Sequence, residues 1–192
     1  MRIILASKSP RRRELLGELF DSFEIKTEPT DETLDAGVLP KDGVEILAKR
    51  KGDAAYFAML RDGEDMSDSM IISSDTLVEL DGVALGKPRD GAEARKMLHA
   101  LAGRGHNVHT GVAVHYRGGV YSGTATTAVF FRDLTNEEIE EYVASGEPMD
   151  KAGAYGIQGG AGKFVSHYEG DYDTVVGLSM RLLRELVERA EK

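Results

Sequence analysis

Cysteine is missing from all 192 residues. That absence excludes disulfides, a thiolate nucleophile, iron–sulfur clusters and cysteine-ligated zinc, and it fits a reducing compartment. Long apolar runs are missing too. The opening MRIILASKSPRRRELL offers only Ile3 to Ala6 before charge arrives, too short for a signal peptide, and nothing elsewhere approaches the roughly 20 residues that cross a bilayer. A soluble, cytoplasmic protein with no membrane partner is expected. Positive charge is scarce: 24 Lys and Arg face 33 Asp and Glu, a net charge of −9. A broad nucleic-acid-binding face makes a domain basic, so no nucleic-acid partner is expected, and an anionic ligand would need cations gathered in one pocket.

What is present is the balance of a folded globular chain, 41% hydrophobic and 30% charged. Arg2 to Ala6 reads as a strand. Ser9 as N-cap and Pro10 at the first helical position start a helix with Leu15, Leu16, Leu19 and Phe20 at helical spacing. Phe23 to Thr27 reads as a second strand and Glu28 to Gly43 as a surface loop. Asp42 with Glu45 reads as a capping pair for a helix to about Leu60. Met70 to Ser73 is a buried strand ending at Ser74, Asp75 and Thr76. Asp81-Gly82 then turns a hairpin between Leu77–Leu80 and Val83–Leu85. Asp90 with Glu93 caps a third helix, and Gly118-Gly119 joins paired strands over 106–131. Thr135 with Glu138 caps a short helix stopping at Gly146. A glycine-rich stretch, a strand near Phe164 to His167 and a helix over about Val175 to Ala190 close the chain. No repeat or long linker divides 1–192, so one domain is expected. The order predicts an α/β fold with a mixed, partly antiparallel sheet flanked by helices, in a single two-lobed unit with a central cleft.

Arg11-Arg12-Arg13 fall in the first turn of the first helix, where cations oppose the positive end of the helix dipole. Either they form a solvated basic turn, or an anion sits there, where backbone N–H groups and guanidinium forks converge on phosphate. Ser7 could add a hydroxyl donor. The turn is not a Walker loop, since GxxxxGK[ST] is absent. Asp75 ends an apolar strand, where an open α/β sheet usually carries its site. It could hold a hard divalent cation, take a proton from water, or cap its own turn. In GKPRD, Asp90 reads as a helix cap, whereas Lys87 has no structural duty. Glu32 in TDET says nothing taken singly. His106 and His109 are three apart, a poor spacing for one strand face, which speaks against a metal pair. Lys49-Arg50-Lys51 reads as the solvated side of an amphipathic helix. The glycines at 153, 156, 159, 160 and 162 are either a flexible turn cluster or backbone that approaches a ligand closely. No nucleophile elbow GxSxG appears.

Eight motifs follow one another along essentially the whole chain: LASKSPRRRELL at 5–16, TDE at 30–32, LAKRK at 47–51, SDT at 74–76, GKPRD at 86–90, TGV at 110–112, SGEPMDKAGAYGIQG at 145–159 and GDYDTVVGL at 170–178. In this order they resemble the Maf family of nucleoside triphosphate pyrophosphatases. The resemblance implies a Maf/ITPase-like fold and cleavage between the α- and β-phosphates, releasing a monophosphate and pyrophosphate. Position by position, Asp75 matches the family's proton acceptor. Ser7, Arg11, Arg12, Glu32, Lys51 and Lys87 match its phosphate- and metal-handling positions, with Glu32 and Asp75 as the metal ligands. Arg11, Thr76 and Gln158 match positions tied to nucleobase choice. Asp75-Thr76 and the Ala154–Gln158 run look like the branch acting on dTTP and UTP. The branch acting on 7-methyl-GTP carries a different residue after the aspartate and lacks this glutamine. Mg²⁺ or Mn²⁺ as cofactor and a homodimer are implied by the same analogy. Two positions depart from the family pattern: Ser179-Met180 stands where Pro-Leu is usual, and Gly52 stands where alanine follows the motif lysine.

The residue types suit the implied reaction. Arg11, Arg12, Lys51 and Lys87 would neutralise the triphosphate as charge moves to the leaving group, and a divalent cation would help them against the net negative charge. The expected step is in-line attack of a cation-held water on the α-phosphorus, Asp75 accepting its proton. The Gln158 amide, which both donates and accepts, could pair with the O4/N3–H edge of thymine or uracil. Alternative functions are a pyrophosphatase for methylated or otherwise modified nucleotides and a regulatory binding protein in cell-division arrest.

Overall fold

A computed structural model describes residues 1–192. The strands are β1 (Arg2–Leu5), β2 (Glu24–Ile25), β3 (Ser69–Leu80), β4 (Val83–Leu85), β5 (Gly105–Tyr116), β6 (Gly119–Phe131) and β7 (Val165–Glu169). They form one seven-stranded sheet in the order β2-β1-β3-β5-β6-β7, with β4 paired to β3. β2 and β3 run parallel to β1, while β4 is antiparallel to β3 and β7 to β6. The helices are α1 (Pro10–Gly17), α2 (Pro40–Arg61), α3 (Gly91–Leu101), α4 (Asn136–Ala144), α5 (Tyr172–Val176) and α6 (Met180–Glu191). This is the expected α/β class with a mixed sheet. No helix is long and apolar enough to cross a membrane.

The chain divides into two compact units, and β3, β5 and β6 each give residues to both. The first comprises Met1–Asp75, Thr110–Ala125 and Gly177–Lys192. In it β1 and the start of β3 are apolar on both faces, as parallel strands covered on two sides must be. Ile3, Leu5, Met70 and Ile72 pack with Leu16 and with Leu183 and Leu186 of α6. The alternate residues Ile4, Ala6 and Ile71 pack with Ala55 and Met59 of α2. The second unit comprises Thr76–His109 and Thr126–Val176. One cluster fills it, with Val78, Leu98, Val108, Val129, Ile139, Tyr155 and Phe164 at its centre.

Several boundaries differ from expectation: α1 stops at Gly17, short of Leu19 and Phe20, and β2 keeps only Glu24–Ile25 of the expected 23–27. α2 begins at Pro40, before the Asp42–Glu45 pair, with Leu39 as N-cap and no side-chain cap. Proline fixes the helical φ at the first position, and the N–H it lacks is one that a helix start leaves without a helical partner. Glu45 instead accepts from Ser122 Oγ at 2.6 Å. β3 runs without a break through Ser74-Asp75-Thr76. The closing helix is split in two, because Gly177 takes φ 125° and Ser179 caps α6 by accepting from Leu182 N–H. The remaining caps are as read: Ser9, Asp90 and the Thr135–Glu138 capping box.

Candidate active site

The first unit gathers its charged groups from three regular elements. Ser7 is buried in the turn between β1 and α1, and its Oγ accepts from Ser9 N–H at 3.2 Å and from Arg12 Nη1 at 3.4 Å. The first turn of α1 carries the three arginines and no acidic residue. Arg12 turns inward. Its Nε donates to the Gly177 carbonyl and its Nη1 to the Ser74 carbonyl, both at 2.8 Å. Ser74 Oγ donates to the same Gly177 oxygen at 2.9 Å. Arg12 therefore ties the start of α1, the end of β3 in this unit and the segment before α6 into one knot. Burial lowers its pKa from the usual arginine value, Asp75 and Glu32 raise it, and half-buried Arg11 lowers it. Arg11, Glu32 and Asp75 are thus the charged neighbours that act on the Arg12 guanidinium.

Alternation along β3 puts Ser73 and Asp75 on one face and Ser74 on the other. Ser73 Oγ donates to the Ala48 carbonyl of α2 at 2.7 Å. One turn further along α2, the Lys51 ammonium donates to Asp75 Oδ1 and pairs with Glu32 Oε1 at 2.7 Å. The Lys51 and Asp75 side chains are only 18% and 11% exposed, whereas Glu32 is 60% exposed. Arg50 holds the Glu32 loop by donating to the carbonyls of Asp31 at 3.2 Å and Thr33 at 2.6 Å. Arg50 is thus a clamp rather than the solvated residue expected, because the loop carbonyls leave the sheet ladder and need donors. Lys49 pairs within its helix with Glu45.

Glu32 and Asp75 converge on one ammonium, so they are the residues that would hold a divalent cation. Two hard oxygen donors fit Mg²⁺ or Mn²⁺, which keep waters and share phosphate oxygens. No group of three or more acidic or histidine side chains is assembled, so the donor set suits an ion shared with a phosphate rather than a cage built by protein alone.

The second unit holds the other three sequence-derived positions. Half-buried Thr76 follows Asp75 on β3. Lys87 is exposed on the loop after β4, and that loop is tied down by Gly153 N–H donating to the Gly86 carbonyl at 3.0 Å. Gln158 is exposed in the turn 157–159. The two histidines enter separate networks. His106 Nε2 is hydrogen-bonded to the buried Tyr155 hydroxyl at 2.8 Å, and burial pushes its pKa down to about 4. His109 bridges Glu79 and Thr126, each at 2.8 Å.

The family model for Maf-like protein matches residues 2–190. This chain belongs to the Maf family. Relatives named dTTP/UTP pyrophosphatase are 48% identical in Desulfitobacterium hafniense, over 95% of this chain and 82% of that one, and 46% identical in Pelotomaculum thermopropionicum, over 97% and 95%. One in Bacillus cereus is 46% identical over 96% and 94%. Among solved structures, the Staphylococcus aureus Ham1 protein matches over the full length of both chains with a TM-score of 0.50 and 15% identity, a likeness of fold.

Against the Maf pattern, both departures have a local cause. Ser179, in place of the usual proline, supplies the side-chain cap of α6. At Gly52, a Cβ would stand 2.2 Å from Cε1 of His115, whose buried ring is hydrogen-bonded to Asp53 at 2.9 Å. Residue type alone does not single out Ser74, which binds the Gly177 carbonyl, or Arg50, which holds the Glu32 loop; their adjacency to Asp75 and Lys51 is the available signal.

Proposed function

We propose that this chain hydrolyses dTTP and UTP to the nucleoside monophosphate and pyrophosphate. The observation that carries the reading is the Lys51–Asp75–Glu32 cluster, whose two carboxylates also act on the Arg12 guanidinium, in a chain whose relatives of that name align with 95% and 97% of it. The buried Asp75 carboxylate takes a proton from the water that attacks the α-phosphorus. The α–β phosphoanhydride bond breaks and its electron pair leaves on pyrophosphate. Lys51 holds Asp75 in place and, with Arg11 and Lys87, neutralises phosphate charge. Arg12 keeps the arginine-bearing turn of α1 against the end of β3, and Ser7 offers its hydroxyl to phosphate. A divalent cation held by Glu32 and Asp75 supplies further charge neutralisation when bound. Gln158 reads the O4/N3–H edge of the pyrimidine, and Arg11 and Thr76 assist that choice. In the same reading, residues 1–192 work as one domain, the protein is a cytoplasmic homodimer, and its net charge of −9 keeps it off nucleic acid.

The test is a nucleotide panel with Mg²⁺ or Mn²⁺, both products being identified. dTTP and UTP turn over fastest, each giving a monophosphate and pyrophosphate. Orthophosphate with a diphosphate would overturn the bond assignment, and preference for 7-methyl-GTP would overturn the substrate.

A further inference from the structure

Gln158 sits in an exposed turn outside any regular element, yet an amide that reads a base must be fixed to within about 0.5 Å. The turn is held from one side by a single carboxylate. Glu147 opens the short 3-10 helix Glu147–Asp150 that follows α4. Its Oε2 accepts from Gly160 N–H at 3.0 Å, and its Oε1 accepts from the Tyr142 hydroxyl at 3.0 Å. The same hydroxyl accepts from Gly156 N–H at 3.3 Å. Both flanks of the turn, Gly156 and Gly160, are therefore bound to one Glu–Tyr pair.

The glycines record how close this approach is. A Cβ on Gly159 would stand 1.9 Å from Glu147 Oε1, and one on Gly156 would stand 2.7 Å from Lys151 Cε. Lys151 locks Glu147 in turn, its Nζ donating to the Glu147 carbonyl and to Asp150 Oδ1, both at 2.7 Å. Tyr142 is largely buried, and burial together with the Glu147 charge raises its pKa well above the usual phenol value, so the hydroxyl stays protonated and donates. The run at 156–160 is thus backbone lying on a carboxylate.

We propose that Glu147 is a positioning residue for pyrimidine selectivity: with Tyr142, it fixes the turn that presents Gln158 to the base. The inference rests on the reading of Gln158 as the base contact. Glu147 itself touches no substrate.

The test compares kcat and KM for dTTP and CTP in the full chain and in Gln158→Ala, Glu147→Ala, Glu147→Gln, Tyr142→Phe and the Glu147→Ala/Gln158→Ala pair. Gln158→Ala lowers the dTTP:CTP ratio of kcat/KM about tenfold, the size of one lost directional hydrogen bond. Glu147→Ala lowers it by a similar factor, chiefly through KM for dTTP, and the double variant loses no more than either alone. Glu147→Gln recovers most of the ratio, since its amide oxygen still accepts from Gly160. Tyr142→Phe, which deletes one oxygen, falls between and carries the test if Glu147→Ala does not fold. A merely structural Glu147 slows dTTP and CTP alike. A ratio unmoved by the Glu147 and Tyr142 variants but moved by Gln158→Ala overturns this inference alone. A ratio unmoved by Gln158→Ala overturns the base-contact reading and the inference with it.

Discussion

The two units fix their candidate groups by different means. In the first, Asp75, Lys51 and Arg12 stand on a strand and two helices: Lys51 and Asp75 hold each other by charge, and Arg12 is seated on two main-chain carbonyls. In the second, Lys87 and Gln158 ride on irregular backbone, and what holds them is hydrogen bonding to main-chain N–H and C=O groups. Side chains on regular elements are placed by the core beneath them. A loop has to be placed by partners of its own, because its backbone polar groups have no ladder.

The largest effect expected from breaking the first arrangement is on chemistry. Asp75→Asn keeps the shape of the side chain but cannot accept a proton, so kcat falls by about 10³, within the range removed with a general base. The variant melts within a few degrees of the parent, because Lys51 retains Glu32 as a partner. Pyrophosphate release and a thermal melt check both halves. Full turnover in this variant removes Asp75 from the base role.

The second unit breaks through its neutral interior instead. His106 is packed edge-on against Phe131 and Tyr155, and burial drops its pKa from 6.5 to about 4. The unfolded chain therefore binds this proton more readily than the folded one. The stabilising contribution is complete above pH 6.5 and is lost as pH falls from there toward 4. Its size is about 3 kcal/mol by linkage. Urea midpoints measured from pH 7 to pH 4.5 fall more steeply for the parent than for His106→Gln, which keeps a polar partner for Tyr155 and does not titrate. Equal slopes would show that His106 is not the group responsible.

The same contrast explains what could be read without coordinates. The apolar runs of β1 and β3, the helix caps at Ser9, Asp90 and Thr135 and the turn at Asp81-Gly82 are local devices, and each is where its residues put it. The Maf motifs supplied the candidate residues, and in the first unit Ser7 meets Arg12 while Glu32 and Asp75 meet Lys51. What stayed hidden is long-range. Arg12 reaches Gly177, 165 positions away, and Ser74 reaches it across 103. No periodicity announces such a pair. Glu147 lies only 13 residues from Gly160, but its partner is a main-chain N–H, which leaves no signature in residue type. Gly52 illustrates the point from the other side. It reads as a lapse in a helix and a departure from the family, until His115 is found in the space that a Cβ needs.

The smallest effect separates the two kinds of support most finely. Ser74 is fully buried and its hydroxyl donates to the Gly177 carbonyl, so truncation would ordinarily leave a buried acceptor unsatisfied. Here Arg12 Nε donates to that same oxygen, and the carbonyl keeps a partner. Ser74→Ala therefore costs about 1 kcal/mol, the net worth of one neutral hydrogen bond, rather than the larger desolvation penalty of an orphaned group. In Glu147→Ala the Gly160 N–H loses the carboxylate that receives it, and no main-chain carbonyl takes its place, so the loss reaches the turn itself. Urea titration of Ser74→Ala gives the number. A drop of 3 kcal/mol or more would mean that the two donors do not substitute for each other, and the knot in the first unit would then be as singly supported as the turn in the second.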